Sequence, residues 1–180
     1  IAIQTHDLAY THPEHNNPIF THKSIAFAKH KVHAIVGSAG CGKTTFAKLL
    51  SGIHTQPSHG NILLYGQDTT TDVHTRRKTI MYLPQHIKLF EGSILDNIRY
   101  THTSLTHDDV HQVLMRFDVS SILQQKHDVH NYLDRSVGVG GSQVSGGQKQ
   151  VIILMRTCID TFLQHSNTPK TEKSILVLDE

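Results

Sequence analysis

The chain has 180 residues, of which 37% are hydrophobic and 18% charged, with a formal net charge of +2. This length and apolar content suit a globular domain with a sizeable core and exclude a disordered chain. The small charge argues against a nucleic-acid partner or an anionic membrane surface, and no apolar run approaches the ~20 residues of a membrane helix.

Short strands open the chain. Residues 1–4 alternate weakly between apolar and polar, and residues 24–27 form a second short strand pattern. A polar loop punctuated by Pro13 and Pro18 separates them. These strands predict an antiparallel layer packed on one side of a parallel core.

A glycine-rich segment follows at residues 37–44 and fits the P-loop pattern G-x-x-x-x-G-K-[ST]. A β-branched run at 32–36 predicts the strand that enters it, and 44–50 predict the helix that leaves it. Backbone N–H groups of such a loop point at phosphate oxygens, and the helix N-terminus adds partial positive charge. Lys43 would reach the β and γ phosphates, and Thr44 would take a Mg²⁺ position. The predicted loop comprises Gly37, Ser38, Ala39, Gly40, Cys41, Gly42, Lys43 and Thr44.

The next stretch predicts two further strands. Residues 61–65 form the first, and 79–83 form a buried one that stops at Pro84. Gln85 therefore lies past the carboxyl end of a core strand, where ligands bind in open parallel sheets. Between these strands, the basic triplet at 76–78 predicts a solvated helix end.

From about residue 90 to 137 the pattern becomes helical. Ser93 is placed to cap a helix over 94–98. Thr106 and Asp109 resemble a capping box in which Asp replaces the usual Glu. The predicted core face of the following helix comprises Val110, Val113, Leu114 and Phe117.

A second glycine-rich segment precedes the apolar helical pattern at 151–163. Ser145, Gly146 and Gly147 would then lie at a helix N-terminus, which is a second anion-binding end. One nucleotide cannot easily use two such ends of one compact chain, so the pattern favours two copies that share nucleotides. The last buried strand, 174–178, ends at two carboxylates. Asp179 could hold Mg²⁺, and Glu180 could orient or deprotonate water.

Taken in order, the P-loop, Tyr-x-x-Gln at 82–85, Val-Ser-Gly-Gly-Gln at 144–148 and the apolar run ending in Asp-Glu resemble an ABC-type ATPase domain. Residues 89–98 are similar to the corresponding segment of exporter-type members. The resemblance implies an α/β fold with a P-loop (RecA-like) parallel core sheet, an antiparallel β lobe and a helical lobe at about 91–160. It also implies that 1–180 is one ATP-binding domain, truncated after the Walker B carboxylates. We therefore expect a transport-coupled ATPase of which this segment alone hydrolyses ATP poorly.

The resemblance assigns roles residue by residue, with ATP and Mg²⁺ as cofactors. Tyr10 matches the aromatic residue that stacks on adenine, and Thr45 extends the P-loop contacts. Gln85 matches the glutamine that senses Mg²⁺ and the attacking water, and Glu180 matches the catalytic glutamate. The metal-binding set is Thr44, Gln85 and Asp179. The signature set, which touches the ATP of the other subunit, is Ser145, Gly146, Gly147 and Gln148.

The implied partners are a second ABC ATP-binding domain, identical or different, and transmembrane domains in the same or another chain, with no nucleic acid. These would hold the chain at the cytoplasmic face of a membrane. The first residue is Ile1, so we expect a longer parent polypeptide. The function that the resemblance implies is ATP binding and hydrolysis as the nucleotide-binding domain of an ABC-type membrane exporter, with two ATP molecules held between the P-loop and the signature of a dimer. The alternative is a regulatory or non-transport ABC ATPase that binds ATP and dimerises without coupled transport. The 16 histidines lack ligand spacing and are interpreted as solvated side chains.

Overall fold

A computed structural model describes residues 1–14, 16–86, 88–116, 129–166 and 175–179. Two compact units divide the chain: residues 1–82 with 173–180, and residues 83–172. Each unit has its own apolar core. The predicted limits of the single domain, and of its helical lobe, stay predictions.

The first unit contains a five-stranded antiparallel sheet built around β1 (Ile3–Tyr10). Strands β2 (Phe20–Lys23) and β3 (Ala26–Phe27) pair with the two halves of one edge of β1. On its other edge, β4 (His59–Leu64) pairs with β1 and with β5 (Gln67–Asp68). The predicted antiparallel lobe is therefore present, and β1 is longer than predicted.

Gly60 allows β1 and β4 to pair closely. Its φ is +83°, and an added Cβ would lie 2.3 Å from the carbonyl oxygen of His6 and 2.5 Å from that of Asp7. The register between the two strands shifts between His6 and Ala9, at the same place. Only a glycine fits this irregularity without moving backbone, because L side chains rarely adopt that conformation.

Helix α1 (Lys43–Leu50) follows the glycine-rich loop, as predicted. Its inward face packs with side chains of the sheet into the core of the first unit. Leu49 and Leu50 are almost fully buried, and burial of each such side chain contributes about 1.5–3 kcal/mol. The buried residues of the helix are Phe46, Ala47, Leu49 and Leu50.

The first unit also contains helix α2 (Val73–Thr79) and a two-stranded sheet of β6 (Ile80–Leu83) and β7 (Ile175–Leu178). The interpretation of the basic triplet is wrong for Arg76, whose side chain is fully buried. The Arg76 guanidinium donates to the carbonyl oxygens of Leu49, Thr55 and Thr70. Main-chain acceptors, one of them in the last turn of α1, thus make burial of this charge tolerable. Its two basic neighbours are exposed.

The prediction of a strand at 32–36 is wrong. Residues 31–38 have no regular secondary structure, and Val32 and Val36 are exposed. The imidazole of His33 folds back instead, accepts a hydrogen bond from the amide of Ala28 at 2.9 Å, and meets the Phe27 ring edge-on. Among the described residues β6 and β7 pair with each other, and neither sheet includes these valines. The β-branched composition alone therefore did not secure a strand.

The second unit is helical. It contains α3 (Ile94–Arg99), α4 (His107–Arg116), α5 (Val129–Leu133), a 3-10 turn (Val139–Gly141) and α6 (Gly146–Ser166). The predicted core face of α4 is buried at Val110, Val113 and Leu114, whereas Phe117 lies outside the described residues. No helix in the described ranges is both long and apolar enough to span a bilayer.

Capping boxes begin α3 and α4, at the positions where the sequence predicted caps. The Ser93 hydroxyl accepts from the Asp96 amide at 3.0 Å, while Asp96 accepts from the Ser93 amide, also at 3.0 Å. Thr106 and Asp109 exchange the equivalent bonds at 3.2 and 2.9 Å. These bonds lower the pKa of both aspartates, with backbone donors as the largest cause. The short Asp side chain thus serves where Glu is usual.

Candidate functional site

The glycine-rich loop leads into α1 from an exposed position. Residues 37–41 are exposed, and the Lys43 ammonium turns back to donate to the carbonyl oxygens of Gly37 at 2.8 Å and Ser38 at 2.9 Å. The ammonium of Lys43 is therefore held inside the loop by hydrogen bonds to backbone carbonyl oxygens of the loop. The Cys41 sulfur lies 4.0 Å from the same nitrogen.

Gly42 forms the junction between loop and helix. It is the N-cap of α1 with φ 94° and ψ 13°, and no side chain caps that helix end. An added Cβ would lie 2.8 Å from Cγ2 of Ile19 and 3.3 Å from Cδ1 of Phe20. Both the left-handed backbone and the close approach of the β1–β2 turn therefore require glycine here. The first turn of α1 offers uncapped N–H donors, which suit an anion.

Asp179, which directly follows β7, forms a side-chain contact with the first turn of α1. Its Oδ1 accepts a hydrogen bond from the Thr44 hydroxyl at 2.8 Å, and its Oδ2 accepts one from the Tyr82 hydroxyl at 2.6 Å. Burial, followed by the hydrogen bond to Asp179 and the negative charge of that carboxylate, raises the pKa of Tyr82 well above its usual range. The phenol is thus a donor at any physiological pH, and both carboxylate oxygens have partners.

Tyr10 lies in the core of the first unit, with 5% of its surface exposed. Its ring stacks on His54, with ring centroids 5.0 Å apart and an interplanar angle of 26°, and lies 6.4 Å from Phe20. Burial raises the pKa of Tyr10, and burial followed by the charge of Lys48 lowers the pKa of His54. An imidazole stacked on the tyrosine ring was not anticipated from the sequence, which gave His54 no role.

The second glycine-rich segment, in the other unit, begins α6 with a capping box. The Gln148 side chain accepts from the Ser145 amide at 2.8 Å, and the Ser145 hydroxyl accepts from the Gln148 amide at 3.3 Å. The Lys149 ammonium reaches back to the carbonyl oxygen of Gly140 at 3.4 Å. The S-x-x-Q spacing is itself a signal of a helix start, in addition to being part of the signature.

Gln85 belongs to the same unit as the signature residues. A cavity of about 260 Å³ is lined by Gln85, His86, Gly146, Lys149 and Gln150. The structure therefore brings one predicted site residue, Gln85, beside one residue of the signature set. Both polar side chains and glycine backbone line this space.

Within the first unit the structure brings Thr44 and Asp179 into contact at the start of α1, while the Lys43 ammonium contacts carbonyl oxygens of the loop. Glu180 lies outside the described residues. No group of three or more His, Cys, Asp or Glu side chains in the described ranges is arranged to hold a metal ion. Tyr82 had no predicted role of its own, because its position three residues before Gln85 gave no signal of a contact with Asp179.

Comparisons with known proteins define the class. The sequence profile of the ABC transporter family matches residues 20–162, which is most of the chain. The chain belongs to this family, and it carries the family's nucleotide-binding ATPase domain. The predicted α/β class, with its antiparallel sheet and helical part, is confirmed.

The individual relatives are longer proteins. The chain is 31% identical, over its whole length, to a putative export ATP-binding/permease protein of Rickettsia felis, and it covers 29% of that protein. Over 81% of its length it is 32% identical to the mitochondrial iron–sulfur clusters transporter atm1 of Aspergillus fumigatus, of which it covers 19%. The chain thus spans less than a third of the length of these curated relatives.

A solved structure shares the fold. A bacterial Atm1-family ABC exporter with ATP bound matches 99% of this chain with a TM-score of 0.73, and the chain covers 34% of that protein. Sequence identity is 21%, so this likeness supports the fold alone.

Proposed function

We propose that this chain is the nucleotide-binding domain of an ABC-type membrane exporter, binding MgATP at the glycine-rich loop and hydrolysing it. The observation that carries the proposal is the contact of Thr44 with Asp179 at 2.8 Å, directly at the uncapped start of α1. A P-loop hydroxyl and a strand-end carboxylate in contact are what a nucleotide-bound divalent cation needs.

Lys43 would move from the loop carbonyls to the β and γ phosphates. Its present hydrogen bonds, at 2.8 and 2.9 Å, support this because they hold the ammonium in the interior of the loop. Phosphate oxygens carry full negative charge, whereas carbonyl oxygens carry only partial charge, so the exchange favours the nucleotide. The remaining loop residues would bind phosphate through backbone N–H groups.

The residues present fit Mg²⁺. Thr44 and Asp179 supply hard oxygen donors, which Mg²⁺ prefers. A role for Gln85 at this ion is implied only by the family resemblance. When bound, the ion would neutralise charge on the phosphates. Glu180 would accept a proton from the attacking water. Tyr10 would stack on adenine only if its ring left its buried place against His54.

A second copy or a related domain would supply the signature set Ser145, Gly146, Gly147 and Gln148 to the nucleotide. The start of α6 is suited to this because a helix N-terminus attracts anions. Transmembrane domains, in the same or another chain, would couple hydrolysis to export and hold this domain at the cytoplasmic face of the membrane. The relatives are named as an export ATP-binding/permease protein and a transporter, which supports this assignment.

The test is ATP binding, phosphate release and size-exclusion chromatography on the parent polypeptide that contains this segment, as the wild type and as Glu180→Gln. Because the amide keeps the shape but loses charge and basicity, we expect Glu180→Gln to bind ATP, to lose hydrolysis and to accumulate an ATP-bound dimer. Glu91→Gln, which removes an exposed carboxylate elsewhere, should behave as wild type. Unchanged turnover in Glu180→Gln would contradict the proposal, and binding without turnover in the wild type would favour the regulatory alternative.

A further inference from the structure

No step of the proposed function uses Tyr82. This residue lies in β6, next to β7, and its hydroxyl donates to Oδ2 of Asp179 at 2.6 Å. The Thr44 hydroxyl takes the other oxygen, Oδ1, at 2.8 Å. The carboxylate is therefore held from two sides, by a strand residue and by the first turn of α1.

We propose that Tyr82 is a positioning residue that fixes the Asp179 carboxylate for the divalent cation bound with the nucleotide. This inference rests on the proposed function, and it gives a role to Tyr82, the first position of the Tyr-x-x-Gln motif, which that function leaves without one. Tyr82 does not contact the cation in the proposal, and it acts only through Asp179.

The physical reason is the freedom of an aspartate side chain. Rotation about the bond to the carboxyl group has a broad profile, so Asp179 alone would not present a fixed oxygen. A phenol hydroxyl can donate only one hydrogen bond, and the Tyr82 hydroxyl donates it to Oδ2 of Asp179. Oδ1 is thereby left on the side of Thr44, where the cation would bind. Residues that hold metal ligands in this way raise metal affinity about 10- to 100-fold in known sites.

Two other roles of Tyr82 would change Mg²⁺-dependent ATP binding differently, which makes the inference testable. If the phenol competed with the cation for Asp179, removing its hydroxyl would strengthen the dependence of binding on Mg²⁺. If Tyr82 only filled space in the first unit, Tyr82→Phe would change nothing, because the ring remains.

The experiment measures ATP affinity with Mg²⁺ and with EDTA in the full chain, and takes the ratio of the two dissociation constants. We expect Tyr82→Phe to reduce the Mg²⁺ enhancement about tenfold while leaving affinity in EDTA unchanged. Tyr65→Phe is the matched control, because Tyr65 is also a partly buried tyrosine packed on the core of the first unit. It should keep the wild-type ratio.

A double-substitution cycle tests whether Tyr82 acts through the aspartate. Asp179→Asn should abolish most of the Mg²⁺ enhancement, and adding Tyr82→Phe to it should have no further effect. An unchanged or larger enhancement in Tyr82→Phe would overturn the inference. So would an equal loss with Mg²⁺ and with EDTA, or an effect that persists beside Asp179→Asn. If the wild type binds no ATP, the proposed function itself fails, which is a different result from a wild-type enhancement that Tyr82→Phe retains.

Discussion

Two helices of this chain begin at glycine-rich segments, and the two beginnings are built differently. At α1 the N-cap is Gly42 in a left-handed conformation, with no side-chain cap. At α6 the first turn is closed by Ser145 and Gln148, whose side chains and amides exchange hydrogen bonds at 2.8 and 3.3 Å. Both segments predicted an anion-binding helix end from sequence alone.

The difference concerns what satisfies the first-turn donors. At α6 the chain's own side chains take up two of them, which stabilises the helix without any ligand. At α1 the end is shaped by backbone, because a side chain at Gly42 would meet Ile19, and the donors are left to a ligand. Stability there comes instead from the buried face of the helix, including Phe46 and Leu49. The structure therefore favours α1 as the stronger phosphate site within one chain.

The two cysteines provide the largest expected contrast. Cys41 is exposed in the loop before α1, while Cys158 is buried in α6 and its burial raises its pKa to about 11. Since the thiolate is the reactive form, maleimide at neutral pH should modify Cys41 about a hundredfold faster. Modification of Cys158 should rise only as the pH approaches its raised pKa, because the thiol stays protonated below it. Peptide mapping by mass spectrometry measures both rates, and equal rates would contradict the expectation.

MgATP sharpens the same measurement. A nucleotide in the loop should protect Cys41 and leave Cys158 unaffected, and each cysteine serves as the internal control for the other. Equal labelling of Cys41 with and without MgATP would show that the start of α1 is not where the phosphates bind.

Lys43→Ala should remove most of the ATP affinity. The ammonium reaches two loop carbonyls, and a charge-assisted contact of this kind with phosphate is worth about 1.5–3 kcal/mol, or roughly ten- to a hundredfold in the dissociation constant. Titration with a fluorescent ATP analogue measures it. Lys48→Ala, on the last turn of the same helix, should bind nearly as wild type. Unchanged ATP affinity in Lys43→Ala would mean that the start of α1 is no better a phosphate site than the start of α6.

Much of the fold was predictable because local chemistry determined it. The helix after the P-loop, the serine and threonine caps of α3 and α4 and the core face of α4 follow from spacing and hydrogen-bond capacity. The antiparallel lobe was predicted as well, although without the register that Gly60 sets in β4.

The rest depends on partners that are distant in sequence. The 32–36 run has the composition of a strand, but a strand needs a neighbour, and His33 contacts Ala28 instead. Arg76 looked solvated because its three acceptors, carbonyl oxygens, have no signature in sequence. The Tyr82–Asp179 contact spans 97 positions and is likewise set by the pairing of β6 with β7. The assignment of roles to the motif residues remains a prediction.

Ser145→Ala tests the capping box at the start of α6 and should have the smallest effect of these substitutions. Loss of an N-cap serine typically costs about 1 kcal/mol, so the first turn of α6 should open about fivefold more often. Hydrogen exchange of amides at the start of α6, including Lys149, measures this local opening without nucleotide. Ser145→Asp should restore protection because aspartate is an equally good cap, and exposed Gln150→Ala should leave it unchanged. Protection that is the same in Ser145→Ala as in the wild type would mean that α6 gains nothing from its capping box. The beginnings of α1 and α6 would then differ in backbone shape, but not in whether their first-turn N–H groups are already stabilised by hydrogen bonds within the chain.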